Sequence, residues 1–433
     1  MASRKLLNLI ISLISVSLIA GCGTTSRVAQ RRQAQPDDAL APAVVHESIS
    51  SADVEALHAR KRKKAELSPL EQQLQALLTD TLLETSQLGL HIVDLTSGQV
   101  LASYGARQRL RPASTEKVVT AIAALDRLGP AFQLQTQLLT TAAVSGSVVQ
   151  GDVYVKGAMD PLLTVADVRS LAAQLRSAGI NRISGRLIAD ASQKDSDELG
   201  WGWCWDDENP TLTPLLCGGK PGLADQLVAA LRANGIAVAR GLSVGTAPAS
   251  ARVLATVARP LTAVLQPMMK ESDNLCAEAV FYQLGRTRKQ VAAIVADVIV
   301  RAYAEFPLAG SGPGASTIAD GSGLSLYNYQ TPETFTRLLS YAASRPEQIL
   351  TPLMQALPIA AVDGTLKKRM AGTTAEANVR AKTGSVSAVS SLVGYTTQRS
   401  TGHLIAFAIM NQGVRTMAEA RNFQDRVCAA ISE

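Results

Sequence analysis

Alternating apolar and polar positions near both ends of the chain predict strands of one sheet. Residues 90–95 and 99–104 alternate around a Thr-Ser-Gly turn, as the two strands of a hairpin do. The runs 382–395 and 404–410, separated by a turn at 399–402, supply three more strands. With helical patterns between and after them, these runs predict an α+β fold whose antiparallel sheet is assembled from both ends of the chain.

Apolar residues recur at helical spacing in three segments. One helix is predicted to open at Ser114 and to end at the Gly-Pro pair 129–130, and others cover 165–178 and 417–431. The stretch from about 132 to 259 combines the second of these helices with alternating patterns. It is therefore predicted to form a smaller α/β domain within the chain.

The first 22 residues carry an export pattern. Two basic residues precede an uncharged apolar run from 6 to 20, which is too short for a membrane-spanning helix of about 20 apolar residues. The sequence Ile-Ala-Gly-Cys at 19–22 resembles a bacterial lipobox, in which the cysteine, here Cys22, is acylated and becomes the new N-terminus. Gly23 after it favours the outer membrane over the inner one, in a lipoprotein that faces the periplasm. An ordinary signal peptide, or a short anchor with a chance cysteine, is the alternative.

The positive charge of the chain is concentrated in this leader and in a tether that follows it. Of 433 residues, 47% are apolar, 18% are charged and 4% are aromatic, and the formal net charge is +6. Residues 1–66 hold ten Lys and Arg against six Asp and Glu, so most of the excess lies there. Residues 23–70 lack the apolar content for a core and are predicted to be a tether, whose basic run at 60–64 is solvated or touches anionic lipid. A nearly neutral remainder with few aromatic residues argues against a nucleic-acid partner.

Cysteine and histidine give little support for metal or histidine chemistry. Cys204, Cys217, Cys276 and Cys428 form no CxxC pair, and no HExxH string is present. In an oxidising compartment Cys204 and Cys217 either pair or stay as free thiols. Two of the four histidines lie in the tether, and no GxSxG string accompanies the others. Neither a metal nor a cofactor is expected, and a nucleophile would need a base other than histidine.

Three short strings meet that need. Residues 114–117 read Ser-Thr-Glu-Lys (SxxK), 272–274 read Ser-Asp-Asn (SxN) and 382–384 read Lys-Thr-Gly (KTG). By composition alone, about one SxxK and about 0.7 SxN are expected in such a chain, against about 0.07 KTG. The ordered trio therefore carries weight that the single strings do not.

The settings of the strings fit nucleophilic catalysis. Ser114 and Lys117, at i and i+3, share one helix face, and the serine lies at the positive end of the helix dipole. A lysine accepts a proton at neutral pH only when it is desolvated or near a second cation, for which Lys382 is a candidate. Gly384 lets a substrate backbone approach closely, and Lys382 with Thr383 can hold a carboxylate. Taken singly, these residues also have ordinary structural interpretations, such as a helix cap or a surface charge.

The trio, in this order, resembles that of penicillin-binding proteins and serine β-lactamases. Further strings narrow the resemblance to the D-alanyl-D-alanine carboxypeptidase/endopeptidase family, the class C low-molecular-mass penicillin-binding proteins. They are Gly-Asp-Val-Tyr-Val-Lys-Gly at 151–157 with Asp-Pro-Leu-Leu at 160–163, Asp-Gly-Ser-Gly-Leu-Ser at 320–325, Asp-Gly-Thr-Leu at 363–366 and Val-Arg-Ala at 379–381. The resemblance spans about residue 75 to the C-terminus, and it implies a five-stranded antiparallel sheet with helices on both sides.

The resemblance implies a role for each candidate residue. Ser114 would attack the carbonyl between two D-alanines of a peptidoglycan stem peptide and form an acyl-enzyme, with Lys117 taking its proton. Ser272 would relay a proton to the leaving amine, and Asn274 would hold Lys117 and the substrate amide. The N–H groups of Ser114 and Ser385 would form an oxyanion hole, and β-lactams would bind at the same site. The remaining substrate-binding positions would be Lys382 and Thr383 for the terminal carboxylate, together with Gly384, Ser387 and Asp160.

Two departures from the family pattern limit what is carried over. The interval between Ser114 and Ser272 is shorter than is usual, which indicates that most of a second inserted domain is missing. Leu326 follows the 320–325 string at a position where the family has an arginine. In the family, that arginine and the aspartate that corresponds to Asp160 are expected to bind the charged side chain of the third peptide residue. The preference for a peptide whose third residue is diaminopimelate is therefore expected to be weaker, or to depend on other residues of the site. The predicted organisation is a lipoprotein signal peptide (1–22), a tether (23–70), a transpeptidase-like domain in two parts (71–131 and 260–433) and the inserted domain (132–259).

Two other functions stay open. A serine β-lactamase is disfavoured because of the inserted domain and because no ExxLN-type string, whose glutamate would activate the deacylating water, follows the SxN string. A stable penicilloyl-enzyme is expected instead. A non-catalytic envelope lipoprotein that binds peptidoglycan fits the tether, although the catalytic set is intact.

Overall fold

The computed structural model describes residues 68–206, 208–306 and 316–433, which belong to one compact unit. The predicted signal peptide, with Cys22, and nearly all of the predicted tether lie outside the described residues. The first helix starts at Pro69, because Ser68 and Glu71 form a reciprocal capping box, so the last residues assigned to the tether are helical. Within the described ranges, no helix has the length and apolar character that crossing a membrane requires.

The described strands are short in the middle of the chain and long at its ends. In chain order they are β1 (Gln87–Asp94), β2 (Val100–Tyr104), β3 (Gln133–Thr140), β4 (Val144–Ser145), β5 (Val148–Val149), β6 (Val153–Lys156), β7 (Arg182–Ile183), β8 (Leu187–Asp190), β9 (Leu216–Cys217), β10 (Lys220–Pro221), β11 (Ala237–Val238), β12 (Leu242–Val244), β13 (Arg252–Pro260), β14 (Arg380–Val386), β15 (Val389–Thr397) and β16 (Leu404–Gln412).

The described α-helices connect these strands. In chain order they are α1 (Pro69–Leu77), α2 (Glu116–Leu128), α3 (Val165–Ser177), α4 (Leu223–Ala233), α5 (Leu261–Lys270), α6 (Asn274–Phe281), α7 (Arg288–Glu305), α8 (Pro332–Ala343), α9 (Thr351–Ala356) and α10 (Met417–Ser432).

The main sheet joins the two ends of the chain, as predicted. Its order is β14-β15-β16-β1-β2, and every pair is antiparallel. The pairing of β1 with β16 runs from Gln87 opposite Gln412 to Asp94 opposite Ile405. The five-stranded antiparallel sheet is therefore confirmed.

Helices cover both faces of this sheet. On one face, Ile92, Leu392 and Phe407 pack in a core with α1 and α10, and the opposite face packs against α2 and α5–α8. α2 is central, since every residue from Glu116 to Leu125 is buried. The N-terminus of α2 contacts β14. This contact fixes the position of the turn before α2 relative to the sheet.

A second domain interrupts the first between α2 and α5. Its sheet has the order β12-β8-β6-β3-β13, and α3 and α4 share one core with it. The first strand of the insertion, β3, pairs with its last strand, β13. The Leu261 amide also donates to the Phe132 carbonyl at 2.8 Å, so the chain leaves and re-enters the main domain at one point. The segment predicted as an insertion thus contains its own sheet with two helices packed on it, and its bounds at 132 and 259 stay a prediction.

Candidate active site

Ser114 lies in a tight turn at the start of the central helix. Residues 113–115 form one 3-10 turn, and α2 begins directly after it. Ala113 has a left-handed backbone (φ 49°), a conformation that costs a residue with a side chain about 1–3 kcal/mol and is found at sites where surrounding contacts enforce it. Ala113 and Thr115 are buried whereas Ser114 is half-buried, so the serine is the accessible residue of the turn.

Lys117 is fully buried and has three hydrogen-bond acceptors. Its Nζ donates to Ser114 Oγ at 3.0 Å, to Asn274 Oδ1 at 2.8 Å and to the Ser322 carbonyl at 2.8 Å. A neutral amine keeps two N–H donors and gains one lone pair. Because Asn274 Oδ1 and the Ser322 carbonyl can only accept, loss of one proton leaves the lone pair directed at Ser114 Oγ. The geometry therefore suits Lys117 as the base for Ser114.

The environment of Lys117 brings its pKa close to neutrality. Burial lowers the pKa of the ammonium group to about 8, because a low-dielectric surrounding penalises the charge. The carboxylates of Asp320, Glu278 and Asp273 oppose part of that shift. Of the two causes expected from the sequence, desolvation is therefore the main one. A useful fraction of Lys117 can be uncharged near pH 7.

The SxN string forms a bend that places its two polar side chains on different lysines. Asp273 caps α6, with its Oδ1 accepting from the Cys276 amide at 2.7 Å, which starts the helix at Asn274. Ser272 just before it has a positive φ of 62°. Asn274 then accepts from Lys117, whereas Ser272 Oγ accepts from Lys382 Nζ at 2.9 Å.

The KTG string lies on the edge strand β14, against the turn that holds Ser114. Lys382 is fully buried, and burial together with the charge of Lys117 holds its pKa well below the usual range. A Cβ atom on Gly384 would lie 2.5 Å from the Pro112 carbonyl oxygen and 3.2 Å from the Ser114 nitrogen. Glycine is therefore required for β14 to approach the nucleophile this closely.

The other predicted residues of this strand lie progressively farther toward solvent. Thr383 Oγ1 donates to Thr365 Oγ1 at 2.9 Å, and Ser385 is exposed. Ser387 lies in the exposed turn between β14 and β15, beyond the last residue of β14. The structure thus forms two hydrogen-bonded groups, Lys117 with Ser114 and Asn274, and Lys382 with Ser272, which the SxN bend joins through the backbone into one catalytic cluster. Thr383 and Gly384 lie beside this cluster on β14, and Ser387 lies outside it.

Sequence reasoning missed the buried acids behind Lys117. Glu278 on α6 is buried, and its carboxylate accepts the amides of Gly321 (3.1 Å) and Ser322 (2.8 Å), which fixes the loop whose carbonyl meets Lys117. Asp320 accepts from the Gly323 amide at 2.8 Å and from Trp203 Nε1 at 2.7 Å. An acid within the otherwise apolar run of α6 was the available signal for Glu278.

Asp160 has its partner within the protein. Its buried carboxylate accepts from the Leu162 amide at 2.9 Å and from Arg259 Nε at 3.3 Å, and Arg259 also contacts Asp167 at 2.9 Å. Burial raises the pKa of Asp160 in spite of this arginine. Leu326, where an arginine was expected, is partly exposed. Arg259, which sequence reasoning did not identify, is thus the cation that Asp160 meets in the folded chain.

The two described histidines contact residues outside this cluster, whereas Cys276 on α6 lies close enough to Lys117 to interact with it electrostatically. His91 Nδ1 lies 2.5 Å from Thr336 Oγ1, and burial lowers the pKa of this histidine to about 4. His403 Nδ1 lies 2.8 Å from Asp94 Oδ2. Cys204 and Cys217 are both free thiols. In the described part of the chain, no group of three or more His, Cys, Asp or Glu side chains could hold a metal ion.

Comparison with known proteins agrees with this geometry. The model of the D-Ala-D-Ala carboxypeptidase 3 (S13) family matches residues 70–215 and 221–432. The chain belongs to this family. Among its S13 relatives, the D-alanyl-D-alanine carboxypeptidase DacB of Haemophilus influenzae is 27% identical over 78% of this chain and 88% of its own. A D-alanyl-D-alanine carboxypeptidase of Actinomadura sp. (strain R39) is 29% identical over 85% of each chain.

Solved structures confirm the fold of this S13 protein. The crystal structure of penicillin binding protein 4 (dacB) from Haemophilus influenzae superposes with a TM-score of 0.71 at 24% identity, covering 84% of this chain and all of that one. The same protein complexed with a novel β-lactam superposes with a TM-score of 0.64 at 24% identity, covering 83% of this chain and 98% of that one. The predicted family and fold class are therefore confirmed.

Proposed function

We propose that this S13 protein is a serine-type D-Ala-D-Ala carboxypeptidase and endopeptidase that acts on peptidoglycan stem peptides and binds penicillins. The observation that carries the proposal is the buried Lys117, whose two fixed acceptors leave one direction free, toward Ser114 Oγ at 3.0 Å. Membership of the S13 family and the D-alanyl-D-alanine carboxypeptidases among its relatives supply the substrate class.

In the proposed reaction, the residues of the catalytic cluster act one after another. Lys117 takes the hydroxyl proton of Ser114, whose oxygen attacks the carbonyl carbon between the two D-alanines. The Ser114 and Ser385 amides stabilise the oxyanion. As the C–N bond breaks, Ser272, held by Lys382, passes its proton to the leaving amine and receives the proton that Lys117 has taken, so that Lys117 is neutral again. Water then attacks the acyl-enzyme and releases the shortened peptide.

Substrate binding is proposed for the strand that carries the KTG string. Lys382 and Thr383 attract the terminal carboxylate of the peptide, and the missing side chain of Gly384 gives its backbone room. In the free protein Lys382 Nζ donates to Ser272 Oγ and to the Thr383 carbonyl at 2.7 Å, so the third N–H of the ammonium group is available to a carboxylate. A charged acceptor gives the stronger bond to an ammonium group. The substrate anion also favours the protonated form of Lys382.

One experiment tests the proposed reaction. The purified full chain, its Ser114→Ala variant and a control, Ser145→Ala on the exposed strand β4 of the inserted domain, are incubated with fluorescent penicillin and with a pentapeptide ending in D-Ala-D-Ala. We expect stable label and D-alanine release from the wild type and the control, and neither from Ser114→Ala. Rapid turnover of penicillin would instead indicate a β-lactamase, and absence of both label and release would indicate a non-catalytic binding protein.

We also propose that the protein is a lipoprotein of the outer membrane that faces the periplasm, anchored through acylated Cys22. The support is the sequence of the first 23 residues alone. The mass of the mature N-terminal peptide tests the anchor, with Cys22→Ser as the comparison. An unmodified peptide starting at another residue contradicts it.

A further inference from the structure

A cleft lined by glutamines lies where the inserted domain meets the main domain. Its volume is about 550 Å³, within the range of pockets that bind small ligands. The polar side chains that line it are Gln133, Gln135, Gln137, Lys156, Gln193 and Gln283. None of these residues belongs to the catalytic cluster, and Gly157 and Ala158 of the cleft lead directly to Asp160.

The strand period explains why the amides share one surface. Gln133, Gln135 and Gln137 occupy alternate positions of β3, while Leu134, Thr136 and Leu138 between them are buried. Lys156 on β6 is directly opposite Gln137 in the antiparallel register. α3 and α4 share the core on the other face of this sheet. One face of the inserted sheet therefore presents an ordered row of amides and one ammonium group.

Much of the hydrogen-bonding capacity of this cleft is unused. Gln283 Nε2 donates to the Ala158 and Ala279 carbonyls at 3.0 and 3.1 Å, and Gln193 Nε2 donates to the Tyr282 carbonyl at 3.5 Å, which leaves their amide oxygens to accept. Gln137 Nε2 donates to Gln135 Oε1 at 3.1 Å, so Gln135 keeps its own donors. Among the residues that the structure describes, Lys156 forms no ion pair.

The chemistry of this lining fits an N-acetylated amino sugar. Carboxamides both donate and accept hydrogen bonds, as hydroxyl and acetamido groups require, and the Lys156 ammonium group can donate to a hydroxyl or to an acetamido carbonyl oxygen. Phe132, a half-buried ring at the edge of the cleft, can pack against the apolar face of a sugar ring. Resting on the proposed function, we propose that this cleft binds the sugar part of the substrate, the N-acetylated amino-sugar unit to which the stem peptide is attached.

The cleft lies beyond the ends of α2 and α6 that are opposite the catalytic residues. Asn274, which binds Lys117, begins α6, and Gln283 follows the end of the same helix. Nine residues at about 1.5 Å each place Gln283 about 13 Å from Asn274 along the helix axis. An extended peptide of five residues reaches about 17 Å. Phe132 likewise follows α2, whose 13 residues span about 20 Å from the Ser114 end. The proposal therefore requires the extended peptide to run from Ser114 past the far ends of these two helices to the cleft.

The test compares two substrates that differ only in the sugar. We measure kcat/KM for a free pentapeptide and for the same peptide on its disaccharide, using the wild type and Gln135→Ala/Lys156→Ala. The control is Gln226→Ala, an exposed glutamine on α4 outside the cleft. We expect the wild type and the control to prefer the disaccharide substrate about tenfold, as two or three added hydrogen bonds allow. In the double variant this preference should disappear, with the free peptide and penicillin acylation unaffected.

Direct binding separates failure of the cleft from failure of the proposed reaction. Ser114→Ala, with and without the double substitution, is titrated calorimetrically with a tetramer of N-acetylglucosamine. Binding that the double substitution abolishes supports the cleft even if no D-alanine is released. Absence of sugar binding, or a disaccharide preference that persists in the double variant, overturns the proposal.

Discussion

The protonation state of Lys117 sets the pH dependence of acylation. With a pKa of about 8, about 1% of this lysine is uncharged at pH 6, about 10% at pH 7 and half at pH 8. Only the uncharged form can take the proton of Ser114. The rate constant for acylation should therefore rise about tenfold per pH unit below pH 7 and about 50-fold between pH 6 and pH 8.

A substitution links this pH dependence to one side chain. Lys117→Arg retains a cation that cannot lose its proton near neutral pH, so general-base catalysis, worth about 10²- to 10⁴-fold, should be lost at every pH. The assay is the second-order rate constant for fluorescent penicillin from pH 5.5 to 9. Lys289→Arg, an exposed lysine on α7, is the matched control and should behave as the wild type.

One neighbouring group must be separated from Lys117 in that assay. Burial raises the pKa of Glu278 to about 8, so its titration falls in the same range. Glu278→Gln removes that titration, and a rise of the rate that persists in this variant belongs to the lysine. A rate that is flat from pH 6 to 8 in the wild type would refute the assignment of Lys117 as the base.

Three further substitutions test the packing around the site. Gly384→Ala should lower penicillin acylation at least tenfold with a smaller change in melting temperature, because the new Cβ meets the Pro112 carbonyl; unchanged acylation would contradict the close approach. Glu278→Ala leaves two buried amides without an acceptor, so it should lower the free energy of unfolding, measured with denaturant, by about 2–6 kcal/mol. Glu278→Gln should lower it by less. Arg259→Met leaves Asp160 unpaired and should lower stability by about 1–3 kcal/mol, of which Asp160→Asn restores part in the double variant; no rescue would show that the pair is unimportant.

Local signals in the sequence were sufficient for the main sheet and for the contact between Ser114 and Lys117, whereas the other residues of the catalytic cluster came from the ordered strings and the family resemblance. Strand alternation and turn residues located β1, β2 and β14–β16, and the i, i+3 spacing placed Ser114 and Lys117 in contact. Both kinds of signal are local, because a strand or one helical turn fixes its own geometry. Gly384 was predicted for another reason, the approach of a substrate backbone, whereas in the structure a side chain there would clash with the Pro112 carbonyl in the turn that holds Ser114.

Two side-chain contacts between distant segments were beyond the sequence. The pairing of Asp160 with Arg259 joins residues about a hundred positions apart, and neither residue type indicates its partner. The support of the Ser322 carbonyl by Glu278 likewise depends on how α6 packs against a loop. The substrate-binding role of Ser387 stays a prediction, since the end of β14 leaves it in a solvent-exposed turn.

The pairing of β1 with β16 has a consequence for how the protein is made. β1 forms near the beginning of synthesis, but its partner is among the last segments to be synthesised, and the strand that carries Lys382 is held in place through β15 and β16. Until those segments are available, one edge of β1 stays unpaired and open to wrong partners. An incomplete chain can hold Ser114 and Lys117 on their helix but has no Lys382 beside them. Catalytic competence therefore arrives only with the finished polypeptide, and truncated products should be both inactive and prone to aggregate.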